Sequence, residues 1–300
     1  MSSIALFGAL ESGLIYALVA LGVLISFRIL DFPDLTADGS FPLGGAVFAI
    51  CVTHGINPWL ATALGGVAGA CAGLVTAWLH VSLKIMQLLA SILVMVALYS
   101  VNLRIMGAPN LPLLDQPSVF TPFFNADGSN QYWVQPLVIF GFVLIAKFFL
   151  DWFFATEIGL SMRATGVNAR MARAQGVNTS RILLLGMAIS NAFIALAGAL
   201  FVQTQGGADI SIGIGTIVVG LAAVIIGETL IPGKRFIIIT LAVIVGAVLY
   251  RAFIALALGS DTLQHIGFGP QDLNLVTAIL VVLALRLPAI KGYFKRKFKA

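Results

Sequence analysis

Long apolar blocks separated by short polar intervals run through the whole chain. The blocks predict helices near 10–29, 41–55, 58–80, 85–104, 133–154, 182–203, 213–231, 236–257 and 272–288. Most approach the ~20 residues that a helix needs to cross a bilayer. The expected fold class is an all-α polytopic membrane protein of about nine transmembrane helices, a single permease-like domain over 1–300.

Two places break the apolar pattern. The 41–55 block is short, and the stretch before it, RILDFPDLTADGSFPLGG, holds Asp31, Asp34, Asp38, Pro33, Pro42, Gly39, Gly44 and Gly45. Such a stretch cannot form a continuous helix. It is either a cytoplasmic loop or a re-entrant segment, and non-helical backbone at membrane depth must be buried in protein or line a watery path. A second stretch, QTQGGADISIGIGTIVVG (203–220), has the same character. Ala37-Asp38-Gly39-Ser40 followed by Gly44-Gly45 parallels Ala208-Asp209-Ile210-Ser211 followed by Gly213 and Gly215. Paired interrupted segments of this kind point to a midplane path between inverted internal repeats. Asp34, Asp38, Ser40, Asp209 and Ser211 are the candidate path residues, and helix capping is the other role their residue types fit.

The polar interval EIGLSMRATGVNARMARAQGVNTSR (157–181) carries Arg163, Arg170, Arg173 and Arg181 against the single acid Glu157. Asn168 is a natural N-cap, Ala169–Gln175 is good helix-forming sequence, and Gly176 is a natural stop. Met171, Ala174 and Gln175 share one face of that helix by the i, i+3, i+4 rule. A bare connector needs none of this, so the interval reads as a docking surface for another protein.

Composition confirms the membrane and excludes much else. Hydrophobic residues make up 60%, charged residues 10%, and the mean hydropathy is +1.04, whereas soluble domains carry about 25% charge. The net charge of +5 reports orientation rather than nucleic-acid binding, because the basic residues sit in short intervals. The tail KGYFKRKFKA (within 289–300) carries five of the seventeen basic residues and is expected in the cytoplasm. Counting back places Lys234, Arg235, the central arginines, Lys84 and Arg28 on the same side. The Lys- and Arg-free intervals 105–131 and 258–271 then fall outside with the N-terminus. The 105–131 interval, Pro-rich and acidic, is either a partner-facing element or a connector. The N-terminal run lacks a basic leader and is long, so it reads as a retained first span.

Reactive constellations are missing. His54, His80 and His265 stand apart at predicted loop edges, without metal-ligand spacing. Cys51 and Cys71 fall in or beside apolar runs and suggest no disulfide framework. GETLIPGKR (227–235) has one residue too many for a phosphate loop and lacks the Ser/Thr. The stretch is a turn between spans. Glu11, Lys147, Asp151, Glu228 and Arg251 lie toward predicted span ends, where snorkelling accounts for them, and Lys147 and Asp151 are spaced to pair. Gly65, Gly69 and Gly73 permit close helix contact, within the subunit or at a dimer face.

The stretch GALESGLIYALVALGVLISFRILDFPDLTADGSFPLGGAVFA resembles the opening of bacterial ABC-transporter permeases of the branched-chain amino acid type, through Gly13, Tyr16, Ala17, Leu18, Ala20, Leu21 and Gly22. The 157–181 interval is similar to their cytoplasmic loop, with Gly176-Val177-Asn178 at its Gly-Ile-Asn turn and Arg181 opening the next span. AISNAFIALAGAL (188–200) also looks alike, so the resemblance covers nearly the whole chain. DFPDLTADGSF departs from the asparagine- and histidine-containing break of the branched-chain members, and looks closer to a sister group thought to serve aromatic amino acids.

The resemblance implies the permease of an ATP-driven importer in the bacterial inner membrane, non-catalytic itself and without its own cofactor. ATP would be bound by separate ATPase subunits. An extracytoplasmic substrate-binding protein and a second permease copy would complete the assembly within the lipid. It implies an ATPase-docking surface of Arg163, Gly166, Asn168, Arg170, Met171, Arg173, Ala174, Gln175, Gly176 and Asn178. Half-helix N-termini at the two breaks would offer free N–H groups to a substrate carboxylate. An amino acid, branched-chain or aromatic, is the expected cargo. A nucleoside or sugar importer and an ion-coupled secondary transporter are the alternatives.

Overall fold

The computed structural model describes residues 3–114, 116–124, 131–233 and 235–258. The predicted 272–288 helix, the basic tail, Lys234, His265 and nearly all of 258–271 lie outside the described residues. The described chain is mostly helical. α1 (Ser3–Val23) continues into a π-helical turn (Leu24–Ile29), followed by α2 (Ala37–Thr53), α3 (Pro58–Leu83) and α4 (Gln87–Met106). β1 (Asn110–Pro112) and a 3₁₀ turn (Thr121–Phe123) precede α5 (Gln131–Ala155), α6 (Glu157–Val167) and α7 (Ala169–Ala174). α8 (Thr179–Gln205), β2 (Gly207–Asp209), α9 (Thr216–Leu230) and α10 (Phe236–Leu258) complete it.

Among the described residues six helices are long and apolar enough to cross a membrane. The two apolar helices that fall short are α2 and α9, which directly follow the two polar breaks. At 1.5 Å per residue, their 17 and 15 residues reach only about 25 and 22 Å, short of a ~30 Å hydrocarbon core. Helix bounds otherwise follow local chemistry. Asn57 Oδ1 accepts from the Trp59 amide at 2.9 Å, with Pro58 in the first helical position of α3. α4 and α8 end on Gly107 and Gly206 in the left-handed conformation. α2 starts earlier than the apolar pattern suggested, at Ala37, and keeps Pro42 inside. That proline leaves the Asp38 carbonyl without its i+4 amide.

α1 is the axle of the core. Leu14 through Ile25 are almost wholly buried, against α5, α8, α9 and α10. α8 is the second axle, gripped by α2 and α3. The Gly65, Gly69 and Gly73 stripe on α3 meets Gly44, Ala195, Asn191 and Met187, so it packs inside the subunit rather than at a dimer face. Both cysteines are free thiols.

The helix ends gather at two opposite faces. Arg28 and Glu228 pair at 2.9 Å, and α6 packs on the π turn, so these define one end, the end predicted to be cytoplasmic. At the other end β1 and β2 pair antiparallel, with Asn110 opposite Asp209. Leu113 N–H donates to Gly206 O at 2.8 Å and Val119 N–H to Gln203 Oε1 at 2.9 Å. The described part of the 105–131 interval is thus pinned to the end of α8. Snorkelling does not account for Lys147 and Asp151. They are a buried i, i+4 ion pair on α5, and Asp151 also accepts from Thr240 of α10 at 2.7 Å. Taking both charges out of water requires this pairing.

Candidate functional site

The first break is a buried polar knot. After the π turn, Leu30 and Phe32 amides donate to Ile25 and Ser26 carbonyls, Asp31 takes a positive φ of 52°, and the chain folds back among the helices. Asp34 is 1% exposed. Its Oδ1 accepts from the Thr36 amide at 2.9 Å and its Oδ2 from Asn191 Nδ2 at 2.8 Å. Asn191 Oδ1 in turn accepts from Ser40 Oγ at 2.7 Å, and the Thr36 and Thr76 hydroxyls meet at 2.7 Å. A buried carboxylate persists only when its lone pairs are answered in this way. Asn191 lies at the middle of the 27-residue α8, which places Asp34 and Ser40 near half depth. Within the 30–36 segment Leu30, Phe32, Asp34 and Thr36 are thus buried among the helices while Asp31 stays exposed, so the segment is packed in protein for most of its length.

Asp38 reaches across to the second break. Its Oδ2 accepts from Gly215 N–H at 3.2 Å and its Oδ1 from Ile217 N–H at 2.9 Å. Gly215 has a φ of 83° and precedes the first residue of α9. A carboxylate at a helix N-terminus satisfies orphan donors and complements the helix dipole. Close contact is built in, since a Cβ on Gly213 would fall on the Asp38 carbonyl and Pro42. The expectation of free N–H groups for a substrate carboxylate is thereby corrected at Gly215, Thr216 and Ile217, whose amides are held by Asp38 and the Gly213 carbonyl.

Asp209 and Ser211 are placed differently. Asp209 ends β2, and its Oδ1 accepts from the amide and hydroxyl of Ser211 at 2.7 and 2.5 Å, a local Asx turn near the opposite end of the bundle. The Ala-Asp-x-Ser parallel thus joins unlike elements, the first turn of α2 and the end of a strand. Asp34, Ser40 and Asp38 come together through Asn191 and the start of α2. Asp209 and Ser211 stand apart from them.

Between α2, α4 and the 210–215 turn lies a cavity of about 430 Å³, bordered by Asp38, Pro42, Tyr99, Ser100, Asn102 and Ile214 among others. Asn102 is 1% exposed. Its Nδ2 donates to Gly39 O at 3.3 Å, and its Oδ1 has no hydrogen-bond partner. An unmet buried acceptor costs about 1–3 kcal/mol. Sequence reading missed Asn191, Thr76, Tyr99 and Asn102. The available signal was a lone polar residue inside an otherwise apolar block, and the apolar average of each block hid it. A larger cavity, about 620 Å³ between α1, α5 and α10, is lined by apolar side chains throughout.

The basic interval forms two short helices. Thr156 caps α6, and Asn168 Oδ1 accepts from the Arg170 and Met171 amides at 3.1 and 3.0 Å to start α7. Gly176, with a φ of 85°, ends the turn after α7, and Asn178 Oδ1 receives the Arg181 amide at the start of α8. The cap and stop stand as read from sequence, with Gln175 just past the helix end. Met162 and Ala172 face inward, and a Cβ on Gly166 would strike the Ile29 carbonyl. Arg163 lies over the Phe236 ring at 5.9 Å. Val167, Arg170, Met171 (64% exposed), Arg173, Ala174 and Gln175 face outward. Gly166 is thus an inner contact, while most of the other predicted docking residues are on the surface.

The family model described as branched-chain amino acid transport system, permease component, matches residues 5–285. The tyrosine transport system permease protein of Clostridioides difficile (strain R20291) is 42% identical over 277 residues, 92% of this chain and 88% of that protein. An uncharacterized protein of Rickettsia prowazekii (strain Madrid E) is 34% identical over 282 residues, covering 92% and 95%. The ribose import permease protein of Escherichia coli (strain K12) is 25% identical over 284 residues, covering 93% and 84%.

Proposed function

We propose that this chain, which belongs to the branched-chain amino acid transport system permease family, is the membrane-spanning subunit of an importer that moves an amino acid into the cell. As a permease component it is not itself catalytic. Two ATPase subunits supply the energy, an extracytoplasmic binding protein delivers the solute, and a second copy of the chain, each copy with about nine spans, completes the permease pair in the bacterial inner membrane. Transport runs by alternating access. The tyrosine permease relative supports an aromatic amino acid as cargo, and the family description supports a branched-chain one.

The observation that carries the reading is the α6–α7 pair. Its inner side is seated on the π turn through Gly166, and its outer side offers a capped basic helix with Met171 and Ala174 on the surface. ATPase closure would push on this pair, and the push would pass through Ile29 and Leu30 into the Asp34 break and the start of α2. A tagged chain extracted from its native membrane in mild detergent should bring down a stoichiometric ATPase with vanadate-sensitive turnover. Ala174→Glu should lose ATP-driven uptake while the chain still inserts and folds. Retained uptake in that variant would reject α7 as the docking element.

A further inference from the structure

The cavity between α2, α4 and the 210–215 turn has a chemical bias that the importer reading alone does not predict. The face around it mixes apolar side chains with hydroxyls. The 210–215 turn is non-helical backbone leading down to the start of α9, which Asp38 caps one turn from the half-depth knot. Ile214 on that turn is 75% exposed, and Tyr99 on the adjoining face of α4 is 55% exposed, beside exposed Ser100. The amides of the turn are met within the protein, Ile210 by Pro109 O, Ser211 and Ile212 by Asp209, Ile214 by Ser211 O and Gly215 by Asp38. The Tyr99 and Ser100 hydroxyls beside it are left to water or to a ligand. In the importer reading this face borders an aqueous cleft toward the second copy of the chain.

All four polar side chains around the cavity, Asp38, Tyr99, Ser100 and Asn102, can accept a hydrogen bond, and Asp38 is a carboxylate. A carboxylate has about four lone-pair sites, and Asp38 uses two on the amides of Gly215 and Ile217. Asn102 Oδ1 is a buried acceptor with no partner at the cavity's edge. Among the described residues no lysine or arginine borders the cavity, and Asp38 already holds the Gly215 and Ile217 amides at the start of α9. The hydroxyls of Tyr99 and Ser100 and the second Asn102 Nδ2 hydrogen are the side-chain donors there, and none carries a positive charge. The rest of the wall is apolar, chiefly Pro42, Val96 and Ile214.

We propose that this cavity is the subunit's own substrate contact, and that it takes a primary ammonium against Asp38 and Asn102 while the apolar wall takes the side chain. The proposal rests on the importer reading and specifies which end of an amino acid the permease holds. The carboxylate end stays in the aqueous cleft.

The test uses the assembled transporter in membranes opened to reagent on both faces, carrying Ser100→Cys with Cys51 and Cys71 changed to alanine. A charged thiosulfonate should label Ser100→Cys, as it would in water. L-Tyrosine and tyramine, each bearing the ammonium, should slow labelling several-fold. 3-(4-Hydroxyphenyl)propionate, which keeps ring and carboxylate without the ammonium, should not. Adding Asn102→Leu should leave labelling intact and abolish protection. Tyr99→Cys serves as a second reporter, expected to behave the same way. Absence of labelling at both positions, equal protection by the propionate, or protection surviving in the Asn102→Leu chain would each overturn the proposal. ATPase co-purification and ATP-driven uptake are followed in parallel. Their loss would condemn the importer reading, whereas their persistence without ammonium-selective protection condemns the site alone.

Discussion

The breaks at 30–45 and 203–216 share composition and spell the same Ala-Asp-x-Ser, yet one is a sealed knot and the other an exposed turn. Asp34 is bound by Asn191, 157 positions away, while Asp209 is bound by Ser211, two positions away. Between them stands Asp38, which belongs to the first break and caps the helix that follows the second, across 177 positions. The difference teaches that an aspartate's role is set by what faces it. The two breaks are less a pair of copies than two sides of one joint, tied by a single side chain.

Substitutions along this series should fall in a definite order of cost. The largest effect is expected at the knot. Asp34→Ala strands the Thr36 amide and the Asn191 amide group in a buried site, each unmet donor costing about 1–3 kcal/mol. The folded chain should melt well below the parent in detergent, or fail to accumulate. Parent-like melting would remove the knot from the account. Asp38→Ala should cost less, about 1–2 kcal/mol for a lost N-cap carboxylate, and should lower transport out of proportion to folded yield because it loosens the joint. Asp209→Ala breaks only an exposed local turn, and a shift within about 1 kcal/mol is expected. If Asp209→Ala proved as damaging as Asp34→Ala, the two breaks would be equivalent after all. Smallest of all is Arg28→Gln. Its partner Glu228 lies at the solvated end, and exposed pairs contribute about 0–1 kcal/mol.

Much of this architecture was legible in the sequence for physical reasons. Apolar blocks report spans because lipid tolerates little else, and Asn168 and Gly176 report α7 because orphan amides and a left-handed residue have few solutions. The two short helices were legible as interrupted blocks, but not their depth. Depth depends on Asn191 and Thr76, single polar residues on helices whose averages are apolar. The unlike fates of Asp38 and Asp209 were likewise out of reach, since tetrapeptides matching at three of four positions carry no record of their distant partners. Lys147 and Asp151 were read correctly as a pair and incorrectly as an exposed one, because spacing gives the pairing while burial comes from Thr240 on α10.

The claim that Asp38 joins the two breaks is tested most directly by amide hydrogen exchange on the intact transporter, read over residues 210–220. The account predicts that Asp38→Ala speeds exchange at Gly215 and Ile217, where the carboxylate now holds the amides, while α8 stays protected. Unchanged exchange over 210–220 in Asp38→Ala would contradict it and leave the two breaks as separate structures.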